Sequence, residues 1–143
     1  MGFRYRPYGP EDVAFMIDSW GRSYFQGSRA YQHLEASEFH AYHRPIRERF
    51  FSRPSAAGII CCPQDDPWHI IAWIAVEKLT SGLVVQYLYV KDAFRQQGIA
   101  RQLIEKATPI KPVFYTHTTG ISGNIVSKHP DEFASWHLIP HLV

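Results

Sequence analysis

The residues best suited to chemistry lie in one run, Arg95-Gln96-Gln97-Gly98-Ile99-Ala100. An apolar, strand-like stretch precedes it, Leu83-Val84-Val85-Gln86-Tyr87-Leu88-Tyr89-Val90, and a helix-like stretch follows over residues 100–107. Strand, Gly-bearing turn and helix start, in that order, make a cradle for an anion. The first backbone N–H groups of a helix have no partner inside it, and the macrodipole favours negative charge at that end. Gly98 lacks a Cβ and lets the backbone come close to a phosphate, while Ala100 keeps the second close position small. Arg95 adds a fixed positive charge beside the cradle. The same pattern also describes an ordinary strand–turn–helix in which Gly98 serves only the turn.

Further side chains could carry protons. Glu77 ends the preceding strand-like run, and alternation leaves open whether it faces a cleft or solvent. Tyr87 and Tyr89 share one face of their strand, opposite Gln86, Leu88 and Val90. Tyr115 and His117 share a face of the next strand-like run; His117 has a reference pKa near neutrality, which suits proton transfer, and a purely structural hydrogen bond is its other reading. Ser122 and Asn124 add hydrogen-bonding groups further on. The eight histidines do not compose a metal site: Pro140 interrupts His137-x-x-x-His141, and His40-x-x-His43 lacks a suitably placed carboxylate or thiolate. The sequence has no Gly-x-Ser-x-Gly, Walker loop or dinucleotide fingerprint. Adjacent Cys61 and Cys62 are poorly placed to bond each other and read as reduced, small strand residues, one per face, of a cytoplasmic protein.

The elements that must position these groups follow from periodicity. Phe3-Arg4-Tyr5-Arg6 alternates as a half-buried strand does. Gly9-Pro10-Glu11-Asp12 reads as a helix start, and Val13, Met16, Ile17 and Trp20 fall on one helical face. A second helical stretch spans residues 36–51, with Pro45 expected to break it or begin a new helix. Its Arg44, Arg47, Arg49 and Arg53 read as a solvated basic face, or as a site for an acidic or nucleic-acid substrate. Strands are expected over 56–62, 69–77 and 83–90, joined by short turns as an antiparallel meander, then over 112–117 after a parallel crossover, and over 134–139. Residues 1–143 read as one domain with a net charge of +2, which demands no polyanionic partner. There is no apolar run of membrane-spanning length and no secretory leader, so no membrane partner is expected.

Arg95-Gln96-Gln97-Gly98-Ile99-Ala100, with Tyr89-Val90 and Phe94 before it and an amphipathic helix after it, resembles the Arg/Gln-x-x-Gly-x-Gly/Ala signature of the GCN5-related N-acetyltransferases (GNAT family). The opening, with Arg6-Pro7 and the acid pair before the first helix, is similar to that family too. The resemblance covers residues 3–20 and 56–117 well. It implies an α/β (α+β) fold with a mixed, mostly antiparallel central sheet flanked by helices, and acetyl-CoA as co-substrate. By resemblance, the backbone of Gln96, Gln97, Gly98, Ile99, Ala100 and Arg101 holds the pyrophosphate beside Arg95. A splayed strand end at Leu88, Tyr89 and Val90 meets the pantetheine and supplies the oxyanion donor, and Asn124 stands where the family has an Asn after the next strand. Tyr24, Phe25, Tyr31, His33, His40 and Tyr42 fall where the family shapes its acceptor pocket. The tail departs from the pattern: no Tyr follows Asn124, which leaves the family's usual general acid without a counterpart.

The implied reaction is transfer of an acetyl group from acetyl-CoA to an amine by direct attack, with Glu77, Tyr115 and His117 as the candidate proton carriers. The acceptor class is open between a small molecule, a protein amine and, through the arginines of residues 44–53, a nucleic acid. A non-catalytic module that binds CoA or phosphate as a regulatory ligand is the alternative. An exposed sheet edge would also suit a homodimer.

Overall fold

Residues 83–90 are apolar on both faces, and in the computed structural model they form β4 (Gly82–Val90), buried over nearly its whole length between two helical layers. The structure describes residues 2–28, 31, 33–109 and 112–115, and the backbone of 136–138. The remaining elements are β1 (Phe3–Pro7), α1 (Val13–Gly27), α2 (Ala36–Ser52), β2 (Ala56–Pro63), β3 (Ala72–Leu79), α3 (Ile99–Ala107), β5 (Val113–Tyr115) and β6 (Trp136–Leu138). The strands lie in the order β1-β2-β3-β4-β5-β6. Neighbours from β1 to β4 are antiparallel; β5 joins β4, and β6 joins β5, in parallel. This is the mixed, mostly antiparallel sheet that the patterning predicts.

Alternation along β3 and β4 separates two cores. Ala72, Ile74, Val76, Leu88 and Val90 pack with Ile99, Leu103 and Ile104 of α3. Trp73, Ala75 and Tyr87 pack with Met16 and Trp20 of α1 and Phe50 of α2. The indole N–H of Trp73 donates to Ser19 Oγ (2.9 Å), fixing α1 on β3. Ahead of α1, Arg6 donates two hydrogen bonds to the buried Asp12, at 2.7 and 2.9 Å, and the Gly9 amide adds a third.

Three expectations change. Pro45 neither breaks nor starts a helix: α2 runs through it. The ring removes one N–H and crowds the Ala41 carbonyl, but Pro45 faces solvent while Phe39, His43, Arg47 and Phe50 hold the helix from the buried side. The strand expected from His69 begins at Ala72, because a turn at Pro63–Asp66 carries the chain first. Within β4, Ala75 pairs with Tyr87 but Val76 with Val85, so Gln86 is the extra residue of a β-bulge. Gln86 therefore leaves the Leu88 and Val90 face on which simple alternation puts it, and its amide donates to Glu77 Oε1 (3.2 Å).

Candidate active site

After Val90 the chain turns through a short 3-10 segment, Asp92–Phe94, closed by bonds from the amides of Phe94 and Arg95 to the carbonyls of Lys91 and Asp92. Phe94 anchors the loop edge-on against Phe3 and His69. Gln96 and Gly98 both adopt positive φ, 65° and 78°. α3 then starts at Ile99 with no side chain capping it. The first intrahelical bond runs from the Gln102 amide to the Gly98 carbonyl (3.1 Å), so the amides of Ile99, Ala100 and Arg101 precede any helical acceptor. Ile99 and Leu103 are buried in the core and fix the direction in which these amides point.

Gly98 is needed for its backbone angle and not for crowding: a Cβ built there would meet no atom within 4 Å. That open space lies at the uncapped, positive end of a helix dipole and fits a phosphate group. Arg95 is less free than its position in the sequence suggests. Its Nε donates to the Val90 carbonyl (3.2 Å) and its Nη1 pairs with Asp92 (2.6 Å). Arg101 pairs with Glu105 at 3.4 Å. Both pairs are exposed, and an exposed pair such as Arg95–Asp92 is worth about 0–1 kcal/mol.

β4 feeds this cradle. Described pairing between β4 and β5 covers Leu83, Val84 and Val85 only, so the ladder to β5 is described over the first part of the strand and not over Leu88, Tyr89 and Val90. Leu88 and Val90 point into the α3 core, and Tyr89 is half-buried on the other face against Phe15 and Trp73. Tyr87 stacks on Trp20, 5.4 Å between centroids, and its hydroxyl shares a 2.7 Å hydrogen bond with Ser23. Burial pushes Tyr87 up to about 12 and raises Tyr24 still further, so both phenols are neutral at physiological pH.

The helical side of the site is aromatic. Tyr24, Phe25 and Tyr31 gather around Phe39, and His40 and His43 pack on the same ring. Tyr42 and His33 point to solvent and take no part in this cluster.

Glu77 is not a solvated strand-end acid. It is buried, with Oε1 accepting from Arg53 (2.9 Å) and Gln86 (3.2 Å), and Oε2 accepting from Ser55 (2.8 Å). Tyr115, half-buried, packs on the α3 face and pairs in register with Val85, the last described step of the β4–β5 ladder. His117, Ser122 and Asn124 lie outside the described residues, as do the side chains of His137 and His141.

The basic stretch is a solvated face only in part: Arg44 and Arg49 are exposed, while Arg47 and Arg53 turn inward. Arg53 serves Glu77, Arg44 pairs with Asp18 (3.1 Å), and Arg47 is 1% exposed. Arg47, Arg44 and His40 from α2, with Asp18 and Arg22 from α1, line a cavity of about 350 Å³ that periodicity alone does not reveal. The signal in the sequence was the 40, 44, 47 spacing on one flank of α2.

A sheet with helices on both faces, and an uncapped, Gly-led helix start after its central strand, define a mixed α/β fold with free helix amides at the end of β4. Residues 15–110 match the acetyltransferase (GNAT) family, and the chain belongs to that family. Among curated proteins none matches the sequence significantly. Solved structures share the fold. A GCN5-related N-acetyltransferase from Ralstonia eutropha JMP134 is 17% identical, with 89% of this chain and 90% of that chain covered and a TM-score of 0.65. The PaiA N-acetyltransferase from Thermoplasma acidophilum, in complex with coenzyme A, is 15% identical over 75% of this chain and 70% of that chain, TM-score 0.56. A predicted acetyltransferase from Clostridium acetobutylicum with acetyl-CoA is 15% identical over 90% and 88%, TM-score 0.56. Among the described residues no helix is long and apolar enough to cross a membrane.

Proposed function

We propose that this chain is an acetyl-CoA-dependent N-acetyltransferase in which an amine attacks the bound thioester directly, with no covalent enzyme intermediate. The observation that carries this reading is the start of α3: an uncapped helix led by Gly98 in a left-handed conformation, with open space where a Cβ would stand. Acetyl-CoA supplies the activated acyl group. The amides of residues 96–101 hold its pyrophosphate, with Arg95 and Arg101 as nearby cations. Backbone groups at Leu88, Tyr89 and Val90 orient the pantetheine arm and donate to the thioester oxygen as it gains charge. Asn124, which lies outside the described residues, is assigned to the cofactor by resemblance alone.

The attacking amine must lose a proton, and His117, Tyr115 and Glu77 are the groups assigned to move it. Glu77 is held by Arg53, Ser55 and Gln86, a setting that fixes its position. The acceptor is a small-molecule or protein amine meeting the half-buried rings of Tyr24 and Tyr31, which pack on the buried Phe39.

Titration calorimetry with acetyl-CoA tests the reading, with Gly98→Trp as the variant that fills the cradle. Binding by the wild type and its loss in Gly98→Trp support it, and free-thiol release in an amine screen then identifies the acceptor. A well-folded wild type that ignores millimolar acetyl-CoA would sink it.

A further inference from the structure

Arg47 is one of the largest fully buried side chains of the molecule, yet among the described residues it forms no ion pair. Its Nη1 lies 2.6 Å from His43 Nδ1, and its Nε is buried without a hydrogen-bond acceptor. Taking a guanidinium out of water costs several kcal/mol unless an anion compensates it. Among the described residues the two buried carboxylates are compensated: Asp12 by Arg6, Glu77 by Arg53.

The surroundings of Arg47 deepen the imbalance. The guanidinium lies across Gly21 of α1, where an added Cβ would stand 2.5 Å from Nη2, so the two helices are packed to leave it room. Around it, the α1–α2 cavity is lined by Arg22, Arg44, His40 and Asp18. Asp18 is committed to Arg44, and Arg22 has no ion pair among the described residues. The lining thus carries three guanidinium charges against one carboxylate. Burial, and then the neighbouring Arg44, lower the Arg47 pKa, and the pull of Asp18 and Glu48 in the other direction does not offset them.

We propose that the α1–α2 cavity is a binding site for a compact oxyanion, the phosphoryl or carboxylate group of a small molecule, with Arg47 at its floor and Arg22 and Arg44 at its mouth. Guanidinium groups suit both oxyanions, because their planar forks donate in pairs. A volume of about 350 Å³ is on the scale of small-ligand sites. With Arg47 below the surface, only a compact group entering the groove reaches it; a broad polyanion such as nucleic acid would meet Arg22 and Arg44 alone. The site does not rest on the acetyl-transfer reading, since it lies between α1 and α2 and not at the start of α3.

The test is thermal denaturation and calorimetry of the intact protein with inorganic phosphate and, separately, malonate, each against sodium chloride of equal ionic strength. The expected result is a saturable rise in Tm with either or both oxyanions and none with chloride. The surface variant Arg22→Gln/Arg44→Gln, which disturbs no buried contact, should weaken this binding about tenfold or more. Arg47→Met should abolish it; if that variant fails to fold, the double variant decides. Gly98→Ala should keep it, which separates this cavity from the phosphate cradle. Phosphate alone assigns the site to phosphoryl groups, and malonate alone to carboxylates. No specific rise in the wild type, an equal rise in the double variant, or a loss confined to Gly98→Ala would each overturn the proposal.

Discussion

Gly98→Ala separates the two reasons a glycine can stand at a helix start. The residue has φ 78° and ψ 7°, and a Cβ there would touch nothing within 4 Å. The substitution therefore costs only the left-handed backbone penalty, about 1–2 kcal/mol. The reduced freedom of the unfolded chain offsets about 0.4–1 kcal/mol of this. A net loss of about 1 kcal/mol lowers Tm by roughly 3–4 °C in a domain of this size. Folding should survive, while binding should weaken, because the new methyl occupies the space the cradle keeps open. Losing one charge-assisted hydrogen bond, at about 1.5–3 kcal/mol, weakens acetyl-CoA binding by roughly ten- to a hundredfold.

Calorimetric Kd for acetyl-CoA and Tm by scanning calorimetry are the two readouts. Ile104→Val is the control: it trims a buried α3 side chain for a loss of about 1 kcal/mol and leaves the cradle alone. Equal Tm losses with a weakened Kd only in Gly98→Ala are expected. An unchanged Kd in Gly98→Ala would refute the assignment of the cradle, and a Tm loss beyond about 10 °C would refute the claim that the space is open.

Other substitutions probe the frame. Gly82→Ala combines φ 152° with a collision between the new Cβ and the Pro112 carbonyl, where β5 approaches β4; it should be far more damaging than Gly98→Ala, seen as poor soluble yield or a Tm loss several times larger. The hydrogen bond from Arg6 holds Asp12 below the ordinary carboxylate value of 3.8. A depressed carboxylate stabilises the fold above its unfolded pKa, and that part is lost as pH falls through the folded value. The stability gap between wild type and Asp12→Asn should therefore be constant near neutrality and shrink below about pH 4 in denaturant titrations; a gap that grows with acid would contradict the ion pair. Burial pushes Cys61 up to about 11, and Cys62 is equally inaccessible. Neither should react with iodoacetamide at pH 8 until denaturant is added, and rapid labelling of the native protein would show that β2 is more open than the structure has it.

The parts of the fold that could be read in advance were those set by local repetition. Period-two alternation located β1, short apolar runs bounded by turns located β2 and β4 almost to the residue, and the spacing of Val13, Met16, Ile17 and Trp20 located the first half of α1. The Gly98 cradle was legible because its chemistry is carried by backbone groups in consecutive residues. What escaped depends on neighbours distant in sequence. Pro45 reads as a breaker because its cost is local, about 3 kcal/mol, while the compensation comes from Phe39 and Phe50 packed against other elements. Gln86 was assigned to the wrong face because alternation assumes an unbroken ladder, and the bulge is set by the pairing with Ala75 and Val76. The proposed roles of His117 and Asn124 fall outside the described residues.

The basic helix shows the same limit in its sharpest form. As a sequence, Arg44, Arg47, Arg49 and Arg53 are interchangeable; in the fold they have different jobs. Arg53 lies near the β3 end, where a buried acid needs a cation, and Arg44 borders the surface, where Asp18 and Glu48 share it. Arg47 is separated from them by its neighbour on α1: only the missing side chain of Gly21 lets a guanidinium lie between the helices. A purely structural use of that space would favour an apolar side chain of similar volume, since buried charges are rarely the more stable solution. The presence of a cation there, beside His43 and with Arg22 and Arg44 in the same lining, is accounted for if the folded protein gains an anion from outside the chain.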